Sequence, residues 1–348
     1  MVKILLIPGD GVGNELVAEV HKLIATIDSV FGLKINTQSL DISEFHFRET
    51  NILIPKGLQK MAGEANSIWL GPITNQSKLN GYNQKNIVQQ ICSEQELEFF
   101  YRNYKPIPSL QKIQTDNPID VLLIESNFYS HTVPSELPAT FVSDQKLNMM
   151  TTYFSQSHME SIFAEAQKII ESGQRNKLLI VLPDELKQKD SPWIEPANQL
   201  AERGIHIQWS SVDQFFYNIL RKPDQLDLVV TVSPYGRIFS KMISSLEGGL
   251  GAGFETHRSK NNQIMFQIMH PASSRFVGKD AADPIGAILS IAAFLESQNK
   301  PLISTAIRNV IEDAISADWV TRDLGGSMGT IEIGDFICSK LSGKSAIA

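Results

Sequence analysis

A glycine-rich turn near the start of the chain has the residue types of a phosphate-binding loop. The run Ile7-Pro8-Gly9-Asp10-Gly11-Val12-Gly13 follows an apolar, strand-like segment and leads into a segment of helical period. Glycines at such a place allow a tight turn into a helix N-terminus, where backbone N–H groups can receive a phosphate. The run lacks the GxGxxG spacing of dinucleotide-binding folds, so a plain strand-to-helix turn is the alternative interpretation.

The composition argues against thiolate, nucleic-acid and membrane chemistry. Cys92 and Cys338 lie far apart without a CxxC partner, which predicts two ordinary thiols rather than a disulfide framework or a zinc site. The 348 residues carry a net charge of −7 with a pI of about 5.6, whereas nucleic-acid surfaces need clustered Lys and Arg. No apolar stretch approaches the roughly 20 residues of a membrane span. We therefore predict a cytoplasmic protein without a nucleic-acid or membrane partner.

Short apolar runs alternate with longer segments of helical period, which is typical of α/β proteins with a buried, mostly parallel sheet. The predicted strands include residues 4–7, 121–124, 178–182 and 228–231, and the predicted helices include residues 15–27, 157–170, 213–220, 284–295 and 331–341. Residues 140–153 differ, because Thr, Val, Met and Tyr are mixed there with polar residues after Pro138. We interpret residues 138–153 as a protruding β-arm rather than a core strand.

Motifs along essentially the whole chain resemble those of the isocitrate/isopropylmalate dehydrogenases, which are β-decarboxylating dehydrogenases. The most specific are Thr321-Arg322-Asp323-Leu324-Gly325-Gly326 and the Gly278-Lys279…Asp283-Pro284 loop. Further matches, in the family's order, are the N-terminal glycine run, Leu70-Gly71-Pro72-Ile73-Thr74, residues 120–127, Val212-Asp213-Gln214, Tyr235-Gly236 and residues 247–251.

The resemblance implies an isopropylmalate dehydrogenase-like α/β fold with two domains that share a mixed sheet and enclose a cleft. Residues 1–100 and 254–348 would form a large nucleotide-side domain, and residues 101–253 a small dimerisation domain that includes the arm. The resemblance also implies a homodimer in which the arms pair and Asp213 of one subunit reaches the other subunit's cleft.

The metal site of the family is changed in this sequence. Family members oxidise a 2-hydroxy acid with NAD or NADP and decarboxylate the product, with a divalent ion polarising the forming carbonyl. Such ions need carboxylate ligands, which two aspartates four apart on a helix supply. The matching positions here carry Arg237 and Lys241. Of the three acidic ligands only Asp213 remains, so we expect no magnesium or manganese.

The substrate clamp and the acid/base pair are changed as well. Of the three family arginines, the first falls on Glu94 or Gln95, depending on the anchor chosen for alignment. The second becomes Lys105, with Arg102 close by, and the third falls on Glu125. The family lysine that helps deprotonate the hydroxyl aligns with Pro183, and the tyrosine that protonates the enolate aligns near Thr132. Tyr129 and His131 are neighbours that a loop shift would bring into the cleft.

The nucleotide side retains more of the family pattern. Thr74 matches a threonine at the nicotinamide end, while His270 and Asp283 match the ends of the loop around adenosine. Within that loop Arg275-Phe276 resembles the basic and aromatic pair of NADP-using members, and an arginine suits a 2′-phosphate. The alternative is a relic loop with Arg275 in solvent, because Pro271-Ala272-Ser273-Ser274 departs from the family pattern.

We therefore expect a divergent family member with a degenerate catalytic site, a pseudoenzyme that acts as a ligand-binding, regulatory or partner subunit. Arg237, Lys241, Lys105 and Arg102 would make the cleft basic and suit a small anionic ligand. NADP is the candidate cofactor, and the assembly is a homodimer or a hetero-oligomer with an active paralogue. The alternative is a metal-independent NAD(P)-dependent oxidoreductase of a small 2-hydroxy acid, for which the candidate catalytic residues are Asp213, Lys105 and Tyr129.

Overall fold

The computed structural model describes residues 2–52, 54–74, 87–105, 107–110, 119–127, 133–135, 149–151, 156–189, 191–246 and 248–343. The strands are β1 Val2–Ile7, β2 Ile35–Ser39, β3 Ser67–Leu70, β4 Phe99–Tyr104, β5 Val121–Ser126, β6 Val133–Ser135, β7 Met149–Thr151, β8 Leu178–Leu182, β9 Ile207–Ser211, β10 Leu228–Thr231, β11 Phe254–Arg258 and β12 Ile264–Ile268. The helices are α1 Gly13–Phe31, α2 Glu44–Thr50, α3 Leu58–Glu64, α4 Ile87–Glu94, α5 Gln156–Glu171, α6 Ile194–Glu202, α7 Val212–Arg221, α8 Tyr235–Leu246, α9 Ile285–Ser297, α10 Pro301–Ser316 and α11 Thr330–Leu341.

Ten strands form one mixed sheet in the order β2-β1-β3-β12-β11-β4-β5-β10-β8-β9. β11 is antiparallel to β12 and to β4, and β4 is antiparallel to β5, whereas the other neighbours are parallel. The prediction of an α/β fold with a mixed sheet is therefore confirmed. The predicted boundary between residues 100 and 101 falls inside β4, which pairs on both sides, and the division into two domains stays a prediction.

Helices cover both faces of the sheet, which explains why its central strands are almost continuously apolar. Next to β1, β3 and β12, helices α1, α9, α10 and α11 pack on one face and α3 and α4 on the other. Next to β5, β8 and β10, helices α5 and α6 pack on one face and α7 and α8 on the other. Helix α8, which carries Arg237 and Lys241, is thereby packed against β4 and against β5, which carries Glu125.

The predicted helices and strands are found close to their expected bounds, with helix ends displaced by no more than four residues. Of the predicted arm, the structure describes β7, which pairs antiparallel with β6. The rest of the arm lies outside the described residues. Exposed apolar side chains on α7 and α8, among them Tyr217, Leu220 and Ile238, suit an interface, and the homodimer stays a prediction. Within the described residues, no helix has the length and apolar character needed to cross a membrane.

The start of α9 carries a buried carboxylate. Asp283 Oδ1 accepts a hydrogen bond from the Ile285 backbone N–H at 2.9 Å, while Oδ2 has no hydrogen-bond partner among the described residues. Burial, with a smaller contribution from Asp323, raises the pKa of Asp283 to about 7. The folded protein therefore holds this proton at pH values where the unfolded chain has released it.

We predict that Asp283→Asn changes the pH dependence of stability. The wild type should lose unfolding free energy as the pH rises from about 4 to 7, because only the unfolded state releases the proton there. Asn removes this slope and keeps an oxygen for Ile285, so the variant should gain about 2–4 kcal/mol relative to the wild type across that window. Urea unfolding at several pH values measures the difference. The exposed Asp318→Asn is the control, and parallel curves for wild type and Asp283→Asn would contradict the prediction.

Candidate functional site

Helix α8 places Arg237 and Lys241 one turn apart on the side that faces β4, β5 and β11. Arg237 Nη2 donates to Asn127 Oδ1 at 3.0 Å, and its guanidinium lies 5.1 Å from the centre of the Phe100 ring. Arg237 Nε also lies 3.9 Å from Glu125 Oε1. Lys241 Nζ donates to Glu255 Oε1 at 2.9 Å. Each cation is therefore paired with a carboxylate of the sheet.

The two carboxylates are buried, but their ionisation differs. Burial raises the pKa of Glu125 to about 7, against the opposing effects of Arg237 and of the Gly236 backbone N–H. Burial also acts to raise the pKa of Glu255, but Lys241 and the Ser240 hydroxyl together bring it below its ordinary value. Glu255 is therefore the firmly ionised acid at neutral pH, and Lys241–Glu255 is the stronger of the two ion pairs.

A buried polar cluster behind Arg237 was missed by the sequence analysis. His257 Nε2 lies 2.9 Å from Gln267 Oε1, and its Nδ1 lies 3.1 Å from Asn127 Nδ2 and 3.5 Å from Cys92 Sγ. These partners assign the neutral tautomer with the proton on Nε2, and burial lowers the pKa of His257 to about 4. The sequence feature that could have indicated this cluster is the spacing of Glu255 and His257, since residues two apart on a strand share a face.

The four predicted cleft cations form two separate groups. Lys105 follows the end of β4 at which Tyr104 pairs with Val121, whereas Arg237 contacts Phe100 near the other end. Lys105 Nζ donates to Glu296 Oε1 at 2.6 Å. Arg102 is buried beside it, with Nη1 donating to the Phe254 carbonyl at 3.1 Å. None of these contacts joins Lys105 to Arg237 or Lys241.

The N-terminal glycine run packs directly on the loop that contains Arg275. The Val12 backbone N–H donates to the Ala272 carbonyl at 2.9 Å. Gly11 has a φ of +57°, and a Cβ at this position would lie 1.7 Å from the same carbonyl oxygen, so only glycine fits. Asp10 supports the run by accepting from the backbone N–H groups of Glu44 at 2.6 Å and Thr74 at 2.7 Å. The supporting role of Asp10 was not predicted.

His270 and Asp283, which lie at the two ends of the loop, are in direct contact. His270 Nδ1 lies 2.7 Å from the Pro271 carbonyl oxygen, which requires a proton on Nδ1. His270 Nε2 is then free to accept from the Asp283 backbone N–H at 3.3 Å. Burial lowers the pKa of His270, so the ring is neutral at physiological pH.

Two cavities meet at Arg275. One, of about 990 Å³, is lined by His270, Phe276, Lys279 and Asp323 among others. The second, of about 1030 Å³, is lined by the glycine run, Asp10, Arg48 and Thr74 among others. Arg275 borders both, is exposed, and has no ion pair with any described residue. Its guanidinium is therefore available to a ligand in either cavity.

The remaining residues that the sequence analysis singled out do not contact the ion pairs on α8 or the loop around Arg275 among the described residues. Asp213 is exposed in the first turn of α7, and its predicted role in a second subunit's cleft stays a prediction. Tyr129, with His131 and Thr132, lies outside the described residues. Pro183 directly follows β8 and precedes a short 3-10 turn. Among the described residues, no group of three or more His, Cys, Asp or Glu side chains is arranged to hold a metal ion.

Comparison with known proteins identifies the family. The family model of isocitrate/isopropylmalate dehydrogenase matches residues 3–337. The 3-isopropylmalate dehydrogenase of Methanothermobacter thermautotrophicus is 24% identical over 95% of this chain and 96% of its own. A probable tartrate dehydrogenase/decarboxylase of Bacillus subtilis is 23% identical over 97% and 98%. The crystal structure of isocitrate dehydrogenase from Methylococcus capsulatus has a TM-score of 0.82 at 19% identity, covering 98% of this chain and 100% of that one. The chain therefore belongs to the isocitrate/isopropylmalate dehydrogenase family.

Proposed function

We propose that this chain is a family member without metal-dependent oxidative decarboxylase activity, which acts as a ligand-binding, regulatory or partner subunit. The observation that carries the proposal is the pairing of Arg237 and Lys241 with carboxylates of the sheet, at 3.9 and 2.9 Å. The resemblance matches these two positions to the family's metal-binding aspartates. The chain thus has a salt-bridge network where the family has ligands for a divalent ion.

The charges of this network do not suit a divalent cation. Mg²⁺ and Mn²⁺ are held by carboxylate and carbonyl oxygens, and two cationic side chains at the ligand positions repel them. The nearby carboxylates do not compensate, because Glu255 is already bound by both Lys241 and Ser240. Glu125 is fully buried, and its Oε2 accepts from the Gly236 backbone N–H at 2.7 Å.

The cleft and the nucleotide side still offer places for anions. The side chains of Arg237 and Lys241 remain 30% and 48% exposed, so a small anion can approach them without displacing the buried acids. Arg275 borders two cavities and has no ion-pair partner among the described residues, and we propose NADP or a related adenine nucleotide as the ligand of these cavities. The subunit would act as a homodimer or together with an active paralogue.

The second candidate function is a metal-independent NAD(P)-dependent oxidoreductase that acts on a small 2-hydroxy acid. It is favoured by the relatives' names, which include 3-isopropylmalate dehydrogenase, homoisocitrate dehydrogenase and a probable tartrate dehydrogenase/decarboxylase. In this candidate Lys241 supplies the positive charge beside the substrate oxygen, and Tyr129 or His131 transfers the proton. Retention of Asp10, Thr74 and His270 on the nucleotide side supports this candidate and the first equally.

We predict that the wild-type protein does not bind Mg²⁺ or Mn²⁺ in the cleft at micromolar strength. Calorimetric titration of the purified protein measures this directly. The matched comparison is Arg237→Asp/Lys241→Asp/Glu255→Gln, which introduces two ligands and removes the excess buried acid. Its affinity for Mn²⁺ should be about tenfold or more above that of the wild type. Circular dichroism shows whether the variant is folded. A stoichiometric ion held by the wild type near Asp213 at micromolar concentration would overturn the proposal.

We predict that a nucleotide with a phosphate on the adenosine ribose binds more tightly than one without it. Arg275 meets a phosphate through paired charge-assisted hydrogen bonds but gains little from a hydroxyl. These contacts are worth about 1.5–3 kcal/mol, so NADPH should bind about tenfold or more tightly than NADH. Fluorescence titration measures both. Arg275→Ala should erase the preference, and the distant Arg203→Ala should keep it. Equal affinities in the wild type, or a preference that survives in Arg275→Ala, would contradict the assignment.

A further inference from the structure

A polar cavity lies at one edge of the ten-stranded sheet, between β8, the terminal strand β9 and helix α7. Its volume is about 650 Å³, which is within the range of pockets that hold small molecules. The polar groups of its lining include three amide side chains and three cations, namely Gln208, Gln214, Asn218, Lys177, Arg221 and Lys222. The cavity therefore offers both charge and hydrogen-bonding groups to a ligand.

Helix α7 presents one face to this cavity. Gln214, Asn218 and Arg221 line it and have the i, i+4, i+7 spacing of a single helix face. Leu220 lies off this face and does not line the cavity, so an interface through the exposed apolar side chains of α7 uses another side of the helix. Tyr217 lies between the two sides. The Arg221 guanidinium packs 5.3 Å from the centre of its ring, which holds this cation at the cavity.

The positive charges at the cavity have no counter-charge among the described residues. Lys177, Arg221 and Lys222 form no ion pair in the part of the chain that the structure describes. The carboxylate among the described lining residues is Asp227, and it is already bound elsewhere. It accepts from Arg175 Nη1 at 3.3 Å and from two backbone N–H groups at 2.7 and 2.9 Å. The lining thus carries a net positive charge, although the chain as a whole carries −7.

The amide side chains add groups that suit a neutral, polar part of a ligand. Gln214 Nε2 donates to Asn218 Oδ1 at 3.3 Å, which leaves the Gln214 carbonyl oxygen and the Asn218 amide N–H groups for other partners. The Gln208 side chain makes no hydrogen bond with any described residue. An amide both donates and accepts hydrogen bonds, and so does a hydroxyl group. A ligand with several hydroxyl groups therefore matches these side chains.

We propose that this cavity is a binding site for a small sugar phosphate. A phosphate monoester carries about 1.5 to 2 negative charges and three acceptor oxygens at neutral pH, which match three cations. Arg221 binds such a group through paired hydrogen bonds, and Lys177 and Lys222 add point charges. The sugar hydroxyls meet the amide groups. A simple carboxylate has one charge and two oxygens and leaves part of this site unused.

The sugar phosphate site goes beyond the function proposed above and does not depend on it. None of its lining residues lines the two cavities at Arg275 or takes part in the ion pairs of Arg237 and Lys241. A failure of sugar phosphate binding would therefore leave the metal, nucleotide and turnover experiments interpretable, and the converse also holds.

Calorimetric titration of the purified protein with ribose 5-phosphate, glucose 6-phosphate and fructose 6-phosphate tests the proposal. At least one of them should bind saturably at millimolar concentration or below and more tightly than inorganic phosphate, and the unphosphorylated sugars should not bind measurably. Arg221→Gln and Lys177→Gln should each raise the dissociation constant by about tenfold or more, because each removes a charge-assisted hydrogen bond. Asn218→Ala should weaken the binding of the sugar phosphate but not that of inorganic phosphate.

Lys34→Gln is the matched control. Lys34 is exposed and directly precedes the edge strand β2 at the other side of the sheet, as Lys177 directly precedes β8. This variant should bind like the wild type, and Arg221→Lys, which keeps the charge, should retain part of the affinity. Circular dichroism shows whether each variant is folded, and Lys222→Gln replaces Arg221→Gln if the latter is not.

Three results would refute the sugar phosphate site. The first is the absence of saturable binding for all three sugar phosphates, or equal affinities in the wild type, Arg221→Gln and Lys177→Gln. The second is an affinity for inorganic phosphate as high as that for each sugar phosphate, because the amides would then recognise no hydroxyl group. The third is binding that Arg275→Ala abolishes and Arg221→Gln leaves intact, which would place the ligand in the nucleotide cavities.

Discussion

A carboxylate buried in a β-sheet must be either protonated or paired, and Glu255 is paired. Its Oε1 accepts from Lys241 at 2.9 Å and from Ser240 at 2.7 Å, and these contacts lower its pKa despite complete burial. Removing one partner of a buried pair costs about 3–5 kcal/mol, and less where the partner is half exposed like Lys241. The pair therefore fixes α8 against β11, and a cation at position 241 is tied to the acid at position 255.

Arg237 also interacts with the sheet, through a hydrogen bond to Asn127, an ion pair with Glu125 and a contact with the Phe100 ring. Asn127 accepts from Arg237 and donates to His257, whose ring also contacts Cys92 and Gln267. This continuous cluster orients the guanidinium over Phe100. The positive charges at positions 237 and 241, which the resemblance aligns with the family's metal-binding aspartates, are accordingly matched by acidic and neutral polar partners in the sheet. Restoring aspartates at positions 237 and 241 alone would leave these partners unpaired.

The sequence predicted most of the architecture because apolar periodicity is a local property. The strands and helices of the sheet appear near their expected bounds, and the family motifs supplied the order that periodicity alone lacks. The ion pairs were harder to predict from the sequence. Glu125 and Glu255 lie 130 residues apart in the sequence. The pairing of β11, β4 and β5 brings both acids to the same part of the sheet, beneath α8. Likewise, grouping Lys105 and Arg102 with the cleft cations ignored the antiparallel course of β4, which carries Lys105 to the opposite end.

The nucleotide side follows a different pattern from the cleft. Asp10 and His270 make hydrogen bonds to backbone groups that hold the loop in place, and Arg275 adds a charge that has no ion-pair partner among the described residues. The proposed nucleotide cavities can therefore persist while Arg237 and Lys241, which the resemblance aligns with the family's metal ligands, form salt bridges. We therefore expect the protein to bind a nucleotide without turning over a 2-hydroxy acid.

The most direct test is a steady-state assay of the wild-type protein for reduction of NADP and NAD. Isocitrate, 3-isopropylmalate, homoisocitrate and tartrate are supplied in turn, with and without Mn²⁺, beside an active relative as the positive control. The account predicts no nucleotide reduction above background with any of them. Reduction at about 1 per second or faster, a rate typical of enzymes, would contradict it and establish the oxidoreductase candidate instead.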